Sequence, residues 1–279
     1  MRPVDRPVSI SASTLESLSV CPTQWFLSRE AGGVTASHQA ANLGNLVHAL
    51  AERVAIGEIE AGPDDVDVLM DHVEQVWDRL QFRTPWSRAR EHARVRAALA
   101  RFLRWHHENP RRLVGVEQRF TAEVELADGV RVVLHGYADR LELDAEGNVV
   151  VVDLKTGRGM PSKPQVAGNQ QLALYQYAVD SGAVDVSVAD ALGVPPVALR
   201  SGGAELLQLG QEDEATTPVV QPQEVADPEG QGRADLRAGL ARTAALIRAE
   251  SFPAVAGPHC EHCDFVAVCP AKSAGPVVG

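Results

Sequence analysis

Four consecutive valines at positions 149–152 leave few options for how the middle of this chain folds. A short β-branched run of this kind, bounded by turn residues, is typical of a buried strand. The run continues directly into Asp153, Leu154 and Lys155. Because side chains i and i+2 of a strand share a face, we expect Asp153 and Lys155 to project together from the end of a sheet.

The apolar spacing changes from helical to strand-like at Pro110. Before it, the sequence predicts a helix that is capped by Ser11 or Ser13 and continues past Trp25. It also predicts helices at about 41–57, at 64–82 and in an arginine-rich segment that ends before Pro110. After it we expect strands at 114–126, 130–143 and 149–154, a helix at 168–181, strand-like segments near 184–193 and 204–209, a surface loop over 211–231 and a last helix at 233–250.

This order predicts an α/β fold in which a central mixed sheet is flanked by helices. We expect one domain over 1–279, made of four parts. These are a helical N-terminal part (1–112), a catalytic α/β core (113–210), a loop with a C-terminal helix (211–256) and a cysteine-rich tail (257–279).

The composition, 45% apolar and 23% charged over 279 residues, is that of an ordinary soluble chain. No stretch is long and apolar enough to span a membrane, and the N-terminus lacks the apolar core of a secretory signal. We therefore expect a cytoplasmic protein with no membrane partner. The formal net charge of −11 argues against a nucleic-acid-binding protein, which is normally basic over its binding domain.

The charge is, however, unevenly spread. Residues 52–78 carry nine acidic residues and one arginine, a net of −8, whereas 79–112 carry ten arginines and two glutamates, a net of +8. The basic stretch runs through Arg79, Arg83, Arg88, Arg90, Arg94, Arg96, Arg101 and Arg104. Two interpretations stay open: these arginines pair with the acidic segment before them, or they contact phosphates.

Asp139 precedes the Asp153-Leu154-Lys155 strand at hairpin spacing. A hairpin can bring the two carboxylates and the ammonium into one small volume. Converging carboxylates repel unless a cation lies between them, which favours a hard divalent metal such as Mg²⁺. Such a metal, with Lys155 beside it, can promote the attack of water on phosphorus.

Two further features complete an ordered set. Gly44 is followed by His48 on a predicted helix, and Gln171 and Tyr175 lie one helical turn apart after the lysine strand. In this order the residues resemble the RecB-like branch of the PD-(D/E)xK nuclease superfamily. That branch has a helical Gly-x-x-His, a Gly-x-x-Asp hairpin, an (Asp/Glu)-x-Lys strand and a Gln-x-x-x-Tyr helix. The first motif departs slightly, because three residues separate Gly44 from His48.

The resemblance implies a restriction-endonuclease-like core and a metal bound by His48, Asp139, Asp153 and the backbone carbonyl of Leu154. It implies that Lys155 is catalytic, together with Asp153 and Asp139, and that Gln171 and Tyr175 orient the site or the DNA strand. Glu117, on the first strand, is a further acidic candidate, but the face on which it lies is uncertain from the sequence.

Three cysteines, Cys260, Cys263 and Cys269, are clustered in the tail, and Cys21 lies near the start. Four cysteines in a cytosolic chain are more often metal ligands than disulfides. The spacing leaves an iron–sulfur cluster, a zinc ion with His259 or His262 as further ligands, and unliganded thiols all open. Some RecB-like nucleases have one cysteine before the core and three after it, and this likeness implies a 4Fe–4S cluster that joins the two ends.

Taken together, the resemblance implies a Mg²⁺- or Mn²⁺-dependent deoxyribonuclease, an exonuclease rather than an endonuclease, that acts on single strands or ends in recombination and double-strand-break repair. Within that branch the chain resembles the C-terminal nuclease domains of AdnB- and AddB-type helicase–nucleases. The sequence has no phosphate-binding loop, so the chain does not itself look like an ATP-driven helicase. The resemblance implies that a helicase motor lies in the same polypeptide or in a partner subunit. The alternatives are a non-catalytic DNA-binding or scaffold module, stabilised by a cluster or zinc, and a free-standing nuclease of the CRISPR-adaptation type.

Overall fold

The computed structural model describes residues 6–32, 39–80, 82, 84–211 and 215–271. Its strands are β1 Val8–Ile10, β2 Arg112–Glu125, β3 Arg131–Leu143, β4 Val149–Lys155, β5 Ser201–Gln208 and β6 Val219–Gln223. Its N-terminal helices are α1 Ala12–Val20, α2 Pro22–Arg29, α3 Gln39–Ala55, α4 Val66–Trp77 and α5 Pro85–Glu108. The later helices are α6 Lys163–Ala167, α7 Gln170–Asp180, α8 Asp185–Leu192 and α9 Gln231–Ala249.

The six described strands form one mixed sheet in the order β1-β3-β4-β5-β6, and β2 pairs with the other edge of β3. Strand β3 is antiparallel to β2 and β4, whereas β4 and β5 are parallel. Helices cover both faces of this sheet. The expected α/β fold with a central mixed sheet flanked by helices is therefore confirmed.

The valine run shows how β4 is buried on both sides. Val149 and Val151 lie in a core with α1, α7 and α9, and Val150 and Val152 lie in a second core with α3, α4 and α5. Since successive side chains of a strand point to opposite faces, an uninterrupted apolar run is what a doubly covered strand requires. The run carries Asp153 and Lys155 to the carboxyl end of the strand, between the two layers of helices.

Some local expectations were wrong. The first helix is two helices, because α1 ends at Val20 and Pro22 starts α2 at a position where its missing N–H costs nothing. The strand-like segment near 184–193 is helix α8 with Val184 as its N-cap. Val184 and Val188 are buried one turn apart, while Val186 is 63% exposed.

The loop expected over 211–231 contains β6, an edge strand in the described sheet. Its Pro222 is tolerated there because an edge position does not need every backbone donor. In the N-terminal part, expected to be helical, β1 joins the sheet in parallel with β3.

The arginine-rich segment forms α5, whose arginines are divided between two sides of the helix. On one side, Arg88, Arg96 and Arg104 pair with acidic residues in and around α4, namely Asp78, Asp67 and Asp64. The pairing interpretation is therefore confirmed for this side of α5. Arg83 lies outside the described residues.

No helix among the described residues is both long and apolar enough to cross a membrane.

Gly210 sits where the chain leaves β5 and passes against the end of β4. A Cβ atom at Gly210 would lie 2.1 Å from the backbone oxygen of Thr156, whereas a Cβ at Gly157 would meet no atom within 4 Å. Because a backbone atom cannot rotate away, we expect Gly210→Ala to lower the free energy of unfolding by about 2 kcal/mol. Urea denaturation measures this, and the matched control Gly157→Ala should change it by less than about 0.5 kcal/mol. Equal effects of the two variants would contradict this packing explanation.

Candidate active site

Three acidic residues stand in one row across neighbouring strands. Glu117 of β2 falls opposite Asp139 of β3, since the residues on either side of them are paired. The next pair along β3 and β4 is Arg140 with Val152, so Asp139 and Asp153 are adjacent as well. The hairpin expected from the sequence therefore brings Asp139 beside Asp153.

His48, Glu117 and Asp139 form a compact group of possible metal ligands. His48, on α3, has its Nδ1 3.7 Å from Asp139 Oδ1 and 3.9 Å from Glu117 Oε1. One donor atom of each of the three residues lies within 4.8 Å of the other two. Leu154 lines the same small cavity beside this group. Nitrogen and carboxylate donors at this spacing fit a divalent cation.

The pKa of His48 reflects the two carboxylates. Burial by itself lowers the pKa, but hydrogen bonds and charges from Asp139 and Glu117 outweigh it and raise the pKa to about 10. In the metal-free protein the imidazolium is thus the cation between the carboxylates. A metal ion needs the neutral ring, so its binding must displace this proton.

Asp153 is held by a second set of side chains. Its carboxylate is almost fully buried, and its Oδ1 accepts a 2.7 Å hydrogen bond from Gln171 Nε2. Its Oδ2 lies 2.6 Å from Lys155 Nζ, yet no described donor makes a well-directed hydrogen bond to it. Burial raises the pKa of Asp153, and the neighbouring Lys155 ammonium opposes that rise. A buried oxygen with spare acceptor capacity is suited to a cation.

Gln171 connects the lysine to Tyr175. Its Oε1 accepts a 3.1 Å hydrogen bond from Lys155 Nζ, and its Nε2 also lies 2.8 Å from the Tyr175 hydroxyl. That hydroxyl donates to the backbone oxygen of Tyr137, and burial raises its pKa, so it stays neutral. Lys155 is 37% exposed and can face a ligand while its position is fixed from behind.

Local sequence explains why these side chains meet. Asn169 caps α7 by accepting from the backbone N–H of Leu172, which fixes the start of the helix at Gln170, directly before Gln171. On α3, a Cβ at Gly44 would lie 2.8 Å from Thr156 Oγ1, so glycine lets the helix that bears His48 approach the end of β4. The Gly44 and His48 pattern therefore has a packing reason.

Asp139 also fixes the end of β4, because its Oδ2 accepts a 2.7 Å hydrogen bond from the backbone N–H of Leu154. Of the four expected metal ligands, the structure gathers His48, Asp139 and Leu154 around one cavity. Asp153 faces Gln171 and Lys155, and the third side chain of the compact group is Glu117.

Glu117 could not be assigned to a face because its backbone departs from the strand conformation. Its φ is +45°, in the left-handed region that non-glycine residues rarely adopt. The alternation of β2 is therefore broken at this residue. Strained residues of this kind are concentrated at functional sites. The available sequence signal was an acidic residue on the strand before Asp139.

The four cysteines also meet. Cys21, between α1 and α2, lines one cavity together with Cys260, Cys263 and Cys269. All four are free thiols. The side chain and backbone of Thr23 donate to the oxygens of Phe252 and Pro253, which holds the two ends of the described chain together next to this cavity.

A known protein family matches most of this chain. Residues 9–270 match the model of the PD-(D/E)XK nuclease superfamily. No curated protein matches the sequence. A solved structure described as "Crystal structure of SSO0001" is similar over 98% of this chain and 90% of its own, with 13% identity and a TM-score of 0.45. The family match covers the sheet from Ser9 onward, the acidic row and Lys155, and the chain belongs to the PD-(D/E)XK nuclease superfamily.

Proposed function

We propose that this chain is a divalent-metal-dependent deoxyribonuclease whose metal is held by His48, Glu117 and Asp139, with Asp153 and the Leu154 carbonyl as further ligands. The observation that carries the proposal is the position of the Lys155 ammonium. This ammonium lies beside the buried carboxylate of Asp153. Its strand is next to the one that carries Asp139, a member of the three-residue group of nitrogen and oxygen donors. When bound, Mg²⁺ or Mn²⁺ would act as a Lewis acid toward the scissile phosphate.

The chain's own residues supply the rest. The Lys155 ammonium can orient the attacking water and offset the negative charge that develops on the phosphate oxygens. Gln171 keeps that ammonium in place, and Tyr175 supports Gln171 from the buried side. His48 must lose its proton for metal to bind, so acidic solutions should weaken metal binding.

The direct test incubates the purified chain with end-labelled single-stranded and double-stranded DNA, with Mg²⁺, with Mn²⁺ or with EDTA. Cleavage that needs the divalent ion supports the proposal. The product pattern separates an exonuclease, which we propose, from an endonuclease. Absence of cleavage of every DNA with either metal would reject an enzymatic role and leave a binding or scaffold module.

We further propose that the chain works in recombination and double-strand-break repair as the nuclease module of a helicase–nuclease. The acidic charge of the chain supports the need for a helicase partner. The net charge is −11, although residues 79–112 are basic. Long-range repulsion should make DNA binding by this chain alone weak and sensitive to salt. A motor that delivers the strand would overcome this weakness.

The cysteine cavity supports a metal cofactor, and we propose a 4Fe–4S cluster bound by Cys21, Cys260, Cys263 and Cys269. Four thiolates around one cavity can complete a Cys₄ shell, which suits an iron–sulfur cluster or a zinc ion. The likeness to RecB-like nucleases that have one cysteine before the core and three after it favours the cluster. The cluster would join the two ends of the domain and so stabilise it.

This assignment predicts that anaerobically purified protein is brown and contains iron and acid-labile sulfide in equal amounts. Cys263→Ser should remove both and lower the thermal midpoint of unfolding, because a cofactor that binds only the folded state stabilises it. His262→Ala serves as the control and should keep the iron. A colourless protein that contains zinc and loses it in His262→Ala would establish a zinc site instead.

A further inference from the structure

The β2–β3 hairpin is covered by helices on one face along part of its length. On β2, Phe120, Ala122 and Val124 lie in the core with α1, α7 and α9. On β3, Val132 and Leu134 lie in the same core. Since successive side chains of a strand point to opposite faces, the residues between them face the other way. The apolar core beneath α3, α4 and α5 contains described residues of β4 and β5 but none of β2 or β3, so this second face is open.

We call this surface the open face, and it begins directly beside the metal-ligand group. It consists of Arg119, Thr121 and Glu123 of β2 opposite Tyr137, His135 and Val133 of β3. Its first row, Arg119 with Tyr137, is two residues from Glu117 and Asp139 along their strands. Two residues of a strand span about 7 Å. A ligand that lies on the first row therefore reaches the metal-ligand group.

Tyr137 gives the open face an aromatic surface. It is 59% exposed, whereas the other two tyrosines of the chain, Tyr175 and Tyr177, are buried. Exposing a large ring to water is unfavourable unless a ligand covers it. Unpaired bases stack on aromatic side chains of sheets and grooves in proteins that bind single strands. The ring of Tyr137 is thus suited to a base.

The backbone beneath this ring is fixed to the candidate active site. The Tyr175 hydroxyl donates a 3.1 Å hydrogen bond to the backbone oxygen of Tyr137. The same hydroxyl lies 2.8 Å from Gln171 Nε2, and Gln171 Oε1 accepts from Lys155 Nζ. The first row therefore has a set position relative to Lys155, while the Tyr137 ring itself stays free to meet a ligand.

The charge of the open face suits a phosphate chain. Arg119 is exposed, and no carboxylate of the described chain pairs with its guanidinium. The second row, Thr121 with His135, adds a hydroxyl and an imidazole and no carboxylate. Further from the site, the third row has Glu123, which lies 3.1 Å from Arg131. The two rows nearest the metal-ligand group thus offer hydrogen-bond donors and no negative charge, as contacts with phosphate oxygens require.

We propose that the open face binds single-stranded DNA, with a base stacked on Tyr137 and a phosphate contacted by Arg119, and holds the nucleotides next to the phosphate that is cleaved. The link to cleavage rests on the proposed nuclease function, whereas the binding itself does not. A single strand is favoured over a duplex because stacking on Tyr137 needs a base whose face is not covered by its neighbours. Duplex binding is a distinct outcome of the test.

The test measures equilibrium binding of a fluorescent oligothymidylate and of a duplex of equal length, in EDTA so that no cleavage occurs. We expect the single strand to bind more tightly, and Tyr137→Ala to weaken its binding about tenfold. Tyr137→Phe keeps an aromatic face and should retain most of the affinity. Because Tyr175 contacts the backbone of Tyr137 and not its ring, both variants should unfold at the wild-type urea midpoint.

The salt dependence is a second readout. Each phosphate contact with a single strand contributes about 0.7 to the slope of log K against log salt, so Arg119→Ala should reduce the slope by about 0.7. The matched control is Arg242→Ala, because Arg242 is an exposed arginine of α9, which packs on the other face of the sheet. This control should change neither the slope nor the affinity.

Three results would each overturn the proposal: wild-type affinity of Tyr137→Ala, an unchanged slope in Arg119→Ala, and tighter binding of the duplex. Because no divalent ion is present, loss of the nuclease assignment would not alter these measurements. A chain that binds the single strand through Tyr137 but cleaves no DNA with either metal would keep this proposal and reject the nuclease function.

Discussion

Replacing Lys155 with alanine is expected to lower metal-dependent DNA cleavage by about 10³-fold. The ammonium lies 2.6 Å from Asp153 Oδ2 and 3.1 Å from Gln171 Oε1, so it is fixed before a substrate arrives. A charge already in position stabilises a developing anion without reorganisation during the reaction. The measurement is the single-turnover rate on end-labelled DNA at saturating Mn²⁺.

The matched control is Lys163→Ala, which removes the same charge from α6 and should cleave at the wild-type rate. Folding is checked by circular dichroism and by the urea midpoint. Wild-type cleavage by Lys155→Ala would remove the lysine from the mechanism.

Replacing Asp139 with asparagine should weaken Mn²⁺ binding at least tenfold and lower cleavage by about 10²- to 10³-fold. The residue has two tasks: Oδ1 faces His48, and Oδ2 accepts from the backbone N–H of Leu154. Asparagine keeps an acceptor for Leu154 but removes the charge. The end of β4 should therefore stay in place while the metal site loses a ligand anion.

Isothermal titration with Mn²⁺ tests this, with Glu146→Gln as the control. Glu146 is exposed in the turn between β3 and β4, so its substitution removes a charge from the same hairpin without touching the site. The pKa of His48 should also fall in Asp139→Asn, because Asp139 is a main cause of its rise to about 10. Unchanged Mn²⁺ affinity would mean that the metal is held elsewhere.

Periodicity and residue type were sufficient to predict the central elements of the fold. The β2–β3–β4 meander, α7 and α9 each carry an apolar pattern that tertiary context reinforces. The errors occurred where one pattern fits two structures. Val184, Val186 and Val188 alternate as in a strand, yet the first and last also lie one turn apart on a helix. The prolines predicted a loop over 211–231, because nothing in the sequence distinguishes an edge strand that tolerates proline from a loop.

The candidate site could be predicted from the sequence only in part. Six residues of the site occur in an order that resembles a known nuclease family, so the sequence alone identified them as candidates. These are His48, Asp139, Asp153, Lys155, Gln171 and Tyr175. Glu117 depends on a left-handed backbone conformation that no local residue pattern indicates. The partners of the α5 arginines could not be predicted either. Helical spacing gives the direction in which each arginine points, but not which residue lies opposite it.

The position of β1 limits how this protein can be shortened. Residues Val8–Ile10 pair with Val132–Leu134 of β3. Strand β4 pairs with the same edge of β3, but nearer its C-terminal end. Ile10 is fully buried. Helices α1 and α9 complete the same core from opposite ends of the described chain. A minimal nuclease cut to the α/β segment would expose an unpaired strand edge and an open apolar face, which are aggregation sites. Trimmed versions and fusions should therefore begin before residue 8 and include α9.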